Sequence, residues 1–147
     1  PRVHPVEGVN ARHLAPDRVP LVPDVAVIDV SFISLRLVLP AVSACLPARS
    51  DILALVKPQF EVGRREVGRG GIVRDPARHR SALDGVASAS AAIGWSTAGA
   101  IPSPIRGAEG NVEFFLHLRR GPEVRSPAPL ADLLDRAIDE AHSEEPS

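Results

Sequence analysis

The 147-residue sequence predicts an α/β fold, an open sheet of parallel strands with an antiparallel ribbon at its edge. Three observations carry that expectation. The apolar runs "DVAVIDVSF" (24–32) and "DILALVK" (51–57) read as strands buried on both faces, as strands of a parallel sheet are. Between them, "SLRLVLPAVSACL" (34–46) has helical apolar spacing, so the three segments form one right-handed βαβ unit. "NVEFFLHLRR" (111–120) alternates Val112, Phe114, Leu116 and Leu118 on one face with Glu113, Phe115 and His117 on the other, the period of a strand.

Taken in order, Ser34 is the expected cap of the first helix, and Pro40 within it predicts a kink or a late start. Pro58 stops the second strand and holds Lys57 extended. "EVGRREVGRGGIVRDPARH" follows, a glycine- and arginine-rich stretch without apolar periodicity that reads as a flexible basic loop. The next helix spans 75–94, with Asp75 as cap, Pro76 at its first position and Gly94 at its end. "WSTAGAIPSPI" (95–105) pairs with 112–119 as the antiparallel ribbon. In "APLADLLDRAIDEA" (128–141), Leu130, Leu133, Leu134 and Ile138 share one stripe of a docking surface helix. The expected division is residues 1–120 as the α/β domain and 121–147 as an acidic tail with a short helix. No internal repeat is present.

Composition narrows the classes of function. No run of about 18 apolar residues and no charged-then-apolar leader pattern occurs, so the expectation is a cytoplasmic chain with no membrane contact. The single Cys45 excludes an internal disulfide framework and reads as an inert, buried thiol. The five histidines show no metal-ligand spacing with it, so no metal is expected. The net charge of −1 hides an asymmetry: residues 121–147 hold seven acids and two arginines, leaving 15 cations against 11 acids in residues 1–120. The body is mildly basic.

One residue stands out by its rarity. Of 17 cationic residues, Lys57 alone is a lysine. Arginine stays protonated in proteins, whereas a lysine amine can titrate when its surroundings demand it. In open α/β sheets ligands sit at the carboxyl ends of the parallel strands. Asp29 and Lys57 both fall there, and an antiparallel strand from 112 starts at the same edge and brings Glu113 with it. A lysine between two carboxylates is either a structural ion cluster or a held proton acceptor. Taken alone, the placement slightly favours the ion cluster.

"DVSFISL", "LVKPQFEVG", "GGIVRDP" and "GNVEFFL", in that order, resemble the carboxyl-terminal half of the TlyA-type (haemolysin A) group of FtsJ-like RNA methyltransferases. The resemblance spans nearly all of residues 2–120. It implies a Rossmann-like methyltransferase sheet, amino-terminally truncated, and S-adenosylmethionine-dependent methylation of ribose 2′-hydroxyls in ribosomal RNA. It also implies a Lys-Asp-Lys-Glu tetrad, in which Asp29, Lys57 and Glu113 occupy the matching catalytic positions. Lys57 then accepts or steers the hydroxyl proton while Asp29 and Glu113 orient it. "VEGVN" (6–10) resembles the family's E-x-T-N segment, which places Glu7 and Asn10, with Asp29, toward the cofactor; a plain surface turn is the other reading. The expected partner is ribosomal RNA or a ribosomal subunit. Arg64, Arg65, Arg69 and Arg74, with Arg78 and Arg80, are the candidates for phosphate contact, partly offset by Glu61 and Glu66. Trp95 and Phe60 are core residues or base-stacking surfaces, and His117, on Glu113's face, reads as structural.

The chain departs from the family ahead of this segment. The S4 RNA-binding domain, the first tetrad lysine and the Gly-rich cofactor turn have no counterpart in the sequence, and "VGRGG" does not substitute for that turn. Weak or absent catalysis is therefore expected of the isolated chain. So is an apolar strand edge covered by a partner or by self-association. The rival readings are a catalytically silent RNA- or ribosome-binding remnant and a membrane-active haemolysin. No basic amphipathic helix supports the latter.

Overall fold

The computed structural model describes residues 2–63, 65–121 and 127–143. Four strands form one sheet: β1 (Val25–Ile28), β2 (Ser50–Val56), β3 (Ser96–Pro102) and β4 (Phe114–Arg120), in the spatial order β1-β2-β4-β3. β2 runs parallel to β1, while β4 lies antiparallel to both β2 and β3. The antiparallel strand is therefore inserted between β2 and β3, and the edge ribbon is β4 with β3.

The helices follow from local signals. α1 (Leu35–Ala44) starts where the Ser34 side chain accepts from the Arg36 N–H, and it runs through Pro40 rather than starting after it. Proline removes one hydrogen bond there without ending the helix, because Leu39 and Val42 on either side are anchored in the core. α2 (Pro58–Glu61) is a single turn that ends where the stretch read as loop begins, at Glu61. α3 (Pro76–Ala92) begins with Asp75 accepting from the Ala77 N–H and is followed by Gly94 at φ 85°, a left-handed position open to glycine. α4 spans Leu130–Ser143.

The core lies on one side of the sheet. Ile52, Ala54, Val56, Phe114, Leu116 and Leu118 face it and meet Leu35, Val38 and Leu39 of α1, Leu83 and Val86 of α3, and Leu134 and Ile138 of α4. Trp95, 1% exposed, joins this core; its indole N–H donates to Ser43 Oγ at 2.9 Å and its ring carries the Arg120 guanidinium 4.7 Å from the centroid. Arg120 also donates to the Ser43, Leu46 and Pro47 carbonyls, which cap the end of α1.

The opposite face corrects one expectation. β1 and β2 are not buried on both faces: Val25, Val27 and Leu53 are exposed, because no helix covers that side among the described residues. β1 is also the edge of the sheet there, pairing with β2 alone. Asp51 lies in β2 and accepts from His117 Nε2 at 2.6 Å and Arg119 Nε at 2.9 Å across the strands. No helix among the described residues is long and apolar enough to cross a membrane.

Candidate functional site

The turn after β1 and the end of β2 bring the first two site residues into contact. Lys57 Nζ lies 2.7 Å from Asp29 Oδ1 and donates to Ser31 Oγ at 3.1 Å. Their exposures are unequal: the Lys57 side chain is 13% exposed and that of Asp29 65%. The lysine is thus a mostly buried cation with a solvent-facing counter-ion, and Pro58 directs it there by keeping its backbone extended at φ −108°.

Glu113 reaches the same edge by register. Val56 pairs with Phe114, so one step further Lys57 and Glu113 are cross-strand neighbours. Glu113 is 6% exposed, and its carboxylate packs directly on Gly107, where a Cβ would overlap it. No ion pair joins it to Lys57 among the described residues, so Asp29 and Lys57 touch while Glu113 stands beside them.

Asn111 holds the Glu113 loop. It is 2% exposed; its Oδ1 accepts from the Val73 N–H at 3.0 Å, and its Nδ2 donates to the Gly71 and Ala108 carbonyls, each at 3.0 Å. The loop before α3 is thereby stapled to the loop before β4. Sequence reading passed over Asn111, although its place in "GNVEFF" was the available signal.

A cleft of about 850 Å³ is lined by Asn10, Ser31, Phe32, Leu37, Gln59 and Phe60 among others; Asp29, Lys57 and Glu113 are not in its lining, and Ser31, which accepts from Lys57, links the two. Phe32 is 91% exposed, sits at φ 61° and meets the Phe60 ring at 5.1 Å between centroids. A bulky residue in the left-handed region is strained by about 1–3 kcal/mol. Asn10 caps a short 3₁₀ turn (Ala11–His13) through Oδ1 and presents that turn to the cleft. Glu7 is exposed and does not line it.

Glu61 corrects another expectation: it is no surface charge offsetting a basic loop. It is 7% exposed and accepts from Ser34 Oγ at 2.6 Å and the Leu35 N–H at 2.7 Å, with Arg36 Nε at 3.4 Å. It thus satisfies the first turn of α1. Burial raises its pKa against the lowering effect of those donors.

The arginines divide. Arg65, Arg69 and Arg74 are exposed, whereas Arg64 lies outside the described residues. Arg78 pairs with Asp75 at 3.7 Å and donates to the Glu66 carbonyl, and Arg80 bridges Asp84 and Asp135 and so ties α3 to α4. These last two are held by structure. Cys45 is half-buried and donates to the Ala41 carbonyl at 3.4 Å; burial, then Asp17, raises its pKa, as an inert thiol requires. No metal-binding cluster occurs among the described residues.

The chain has relatives among known proteins. Over 141 residues the chain is 45% identical to the 16S/23S rRNA (cytidine-2′-O)-methyltransferase TlyA of Mycobacterium tuberculosis, covering 95% of this chain and 53% of that protein. Hemolysin A of Brachyspira hyodysenteriae is 35% identical over 117 residues, 79% of this chain and 49% of its own. A solved structure of a candidate hemolysin from Streptococcus thermophilus superposes with a TM-score of 0.83 at 39% identity, over 92% of this chain and 49% of that one. The chain thus spans about half the length of the relatives it matches. The FtsJ-like methyltransferase family matches residues 1–120, which include Asp29, Lys57 and Glu113, and this chain belongs to that family.

Proposed function

We propose that the chain carries the catalytic edge of an S-adenosylmethionine-dependent ribosomal RNA ribose 2′-O-methyltransferase. The observation that carries this reading is the Asp29–Lys57 contact of 2.7 Å at the carboxyl end of the parallel strands, with Glu113 next to it in register. The relative from Mycobacterium tuberculosis that acts on cytidine ribose supports the substrate class.

The residues beside Lys57 suit the cofactor in part: the exposed Asp29 carboxylate offers a counter-charge to a sulfonium, and the cleft at Asn10 and Ser31 offers volume. Glu7, outside the cleft lining, is not part of this reading. Bound there, S-adenosylmethionine supplies an electrophilic methyl group. The chain's own residues handle the proton. Of the three positions on Lys57 Nζ, one is directed at Asp29 and one at Ser31. The third remains for the ribose O2′; with the amine in its neutral form this position would be a lone pair, able to accept the hydroxyl proton as the methyl passes from sulfur to oxygen. Glu113 orients the hydroxyl from the neighbouring strand. The exposed Phe32 ring gives an unstacked base a face to rest on, and Arg65, Arg69 and Arg74 contact phosphates.

The test joins the amino-terminal half of the Mycobacterium tuberculosis relative to this chain and follows transfer of tritiated methyl from S-adenosylmethionine to ribosomal RNA, with alkaline hydrolysis of the product. Cleavage in alkali needs a free 2′-hydroxyl, so label in alkali-resistant dinucleotides is the expected result. Label released as base-methylated mononucleotides contradicts the ribose assignment. Salt-dependent RNA binding without transfer favours the silent RNA-binding reading.

A further inference from the structure

Beside the Glu113 loop is a second, smaller concavity, to which Arg74 is the one residue carried over from the phosphate contacts proposed above. Its volume is about 70 Å³, and it is lined by Arg74 ahead of α3, His79 on α3, His142 on α4, and Arg106, Glu109 and Gly110 ahead of β4. At roughly 30 Å³ per water, the space takes two waters or one tetrahedral oxyanion.

The lining is cationic and uncommitted. Arg74 and Arg106 make no ion pair among the described residues, whereas Arg36, Arg78, Arg80 and Arg119 all do. Glu109 is the one acid among the lining residues named, and it pairs with neither arginine. Arg106 lies close enough to His79 to oppose its protonation, although burial is the larger cause of that residue's lowered pKa.

The two imidazoles fix each other's hydrogens. His79 is 0% exposed, and its Nε2 is 2.9 Å from the Val73 carbonyl, which can only accept; Nε2 therefore carries the hydrogen. Neutral His79 then has a bare Nδ1, 3.1 Å from His142 Nε2, so His142 is the donor. Two guanidiniums without an ion pair among the described residues, beside an imidazole N–H donor, around a space of this size form an anion seat.

We propose that this pocket binds a phosphate group. The source rests on the RNA-methyltransferase reading: a backbone phosphate of the substrate, adjacent to the nucleotide whose ribose meets Lys57. Gly110 and Glu113 share one short loop, so the seat would set the register of the RNA strand against the catalytic edge. Free inorganic phosphate is the other source of the same chemistry.

The experiment follows the imidazole Cε1–H signals of His79 and His142 by NMR in the full chain. Inorganic phosphate is titrated first, then a short single-stranded RNA lacking terminal phosphates. Both are expected to shift the His142 signal saturably, with RNA displacing phosphate. The double variant Arg74→Gln/Arg106→Gln, with both sites exposed and its fold checked by amide spectra, should weaken both by roughly tenfold or more. Unmoved imidazole signals, or an unchanged midpoint in the double variant, overturn the seat. Phosphate binding without RNA competition overturns the RNA source alone. Neither readout needs methyl transfer, so failure of the catalytic reading registers separately.

Discussion

Replacing Glu61 with alanine should destabilise the fold far more than its place in an arginine-rich stretch suggests. The side chain closes α1 by accepting from Ser34 Oγ at 2.6 Å and from the Leu35 N–H at 2.7 Å. Each hydrogen bond to a charged acceptor contributes about 1.5–3 kcal/mol, and a buried donor left unmade costs about 1–3 kcal/mol. Burying the carboxylate offsets part of this, as its raised pKa shows. A net loss of about 2–4 kcal/mol is expected, or roughly 4–16 °C in Tm for a chain of this size. Because the folded pKa lies above the ordinary value of 4.5, native Glu61 holds its proton in a window where the unfolded chain has lost it. Its contribution is therefore greatest at low pH and falls as pH rises through the native pKa. Glu61→Gln keeps an acceptor for Leu35 and carries no charge, so it should cost less than about 1.5 kcal/mol and lose this pH slope. Urea unfolding of the three proteins between pH 4 and 8 is the assay. An alanine variant within about 0.5 kcal/mol of wild type at every pH would refute the reasoning.

Two other substitutions probe single contacts. Gly107→Ala places a methyl group where the Glu113 carboxylate lies, without demanding a left-handed backbone, since Gly107 has φ −75°; methyl transfer should fall by roughly 10²-fold with circular dichroism unchanged, and unaltered transfer would show that Glu113's position is immaterial. His79 has a lowered native pKa, caused first by burial, so the unfolded chain takes up its proton first; stability should be full above about 6.5 and decline as pH falls from there to the native pKa. His79→Leu should flatten this slope in urea titrations while losing the bonds to Val73 and His142, and a slope unchanged in the variant would assign it to other groups.

The fold was largely legible because its signals are local. Asp75, Pro76 and Gly94 bracket α3, and the alternation from Val112 to Leu118 reports a strand with one buried face. Asp29 and Lys57 were legible as a pair because strand ends in an α/β sheet share an edge. What escaped depends on long-range packing. Glu61 looks like any acid in a basic loop until α2 folds it under α1. Asn111 looks like a turn residue until the loop before α3 meets it. Phe32 offers no local sign of its positive φ, and the open face of β1 and β2 cannot be told from a buried one by apolar runs alone. His79 and His142 are 63 positions apart, beyond the reach of any spacing argument.

The central claim is that Lys57 takes the proton of the ribose hydroxyl. Because this chain spans about half of its relatives, the direct measurement uses a chimera: the amino-terminal half of the Mycobacterium tuberculosis relative joined to this chain, with Lys57 or with Lys57→Arg. Single-turnover methylation of ribosomal RNA is followed alongside RNA and S-adenosylmethionine affinity. Arginine can pair with Asp29 and keep the charge, yet has no proton to exchange at working pH. The account predicts a rate lower by about 10²–10⁴-fold with both affinities within a factor of about three. Full activity in the arginine protein would contradict it and leave Lys57 as a charge that only orients.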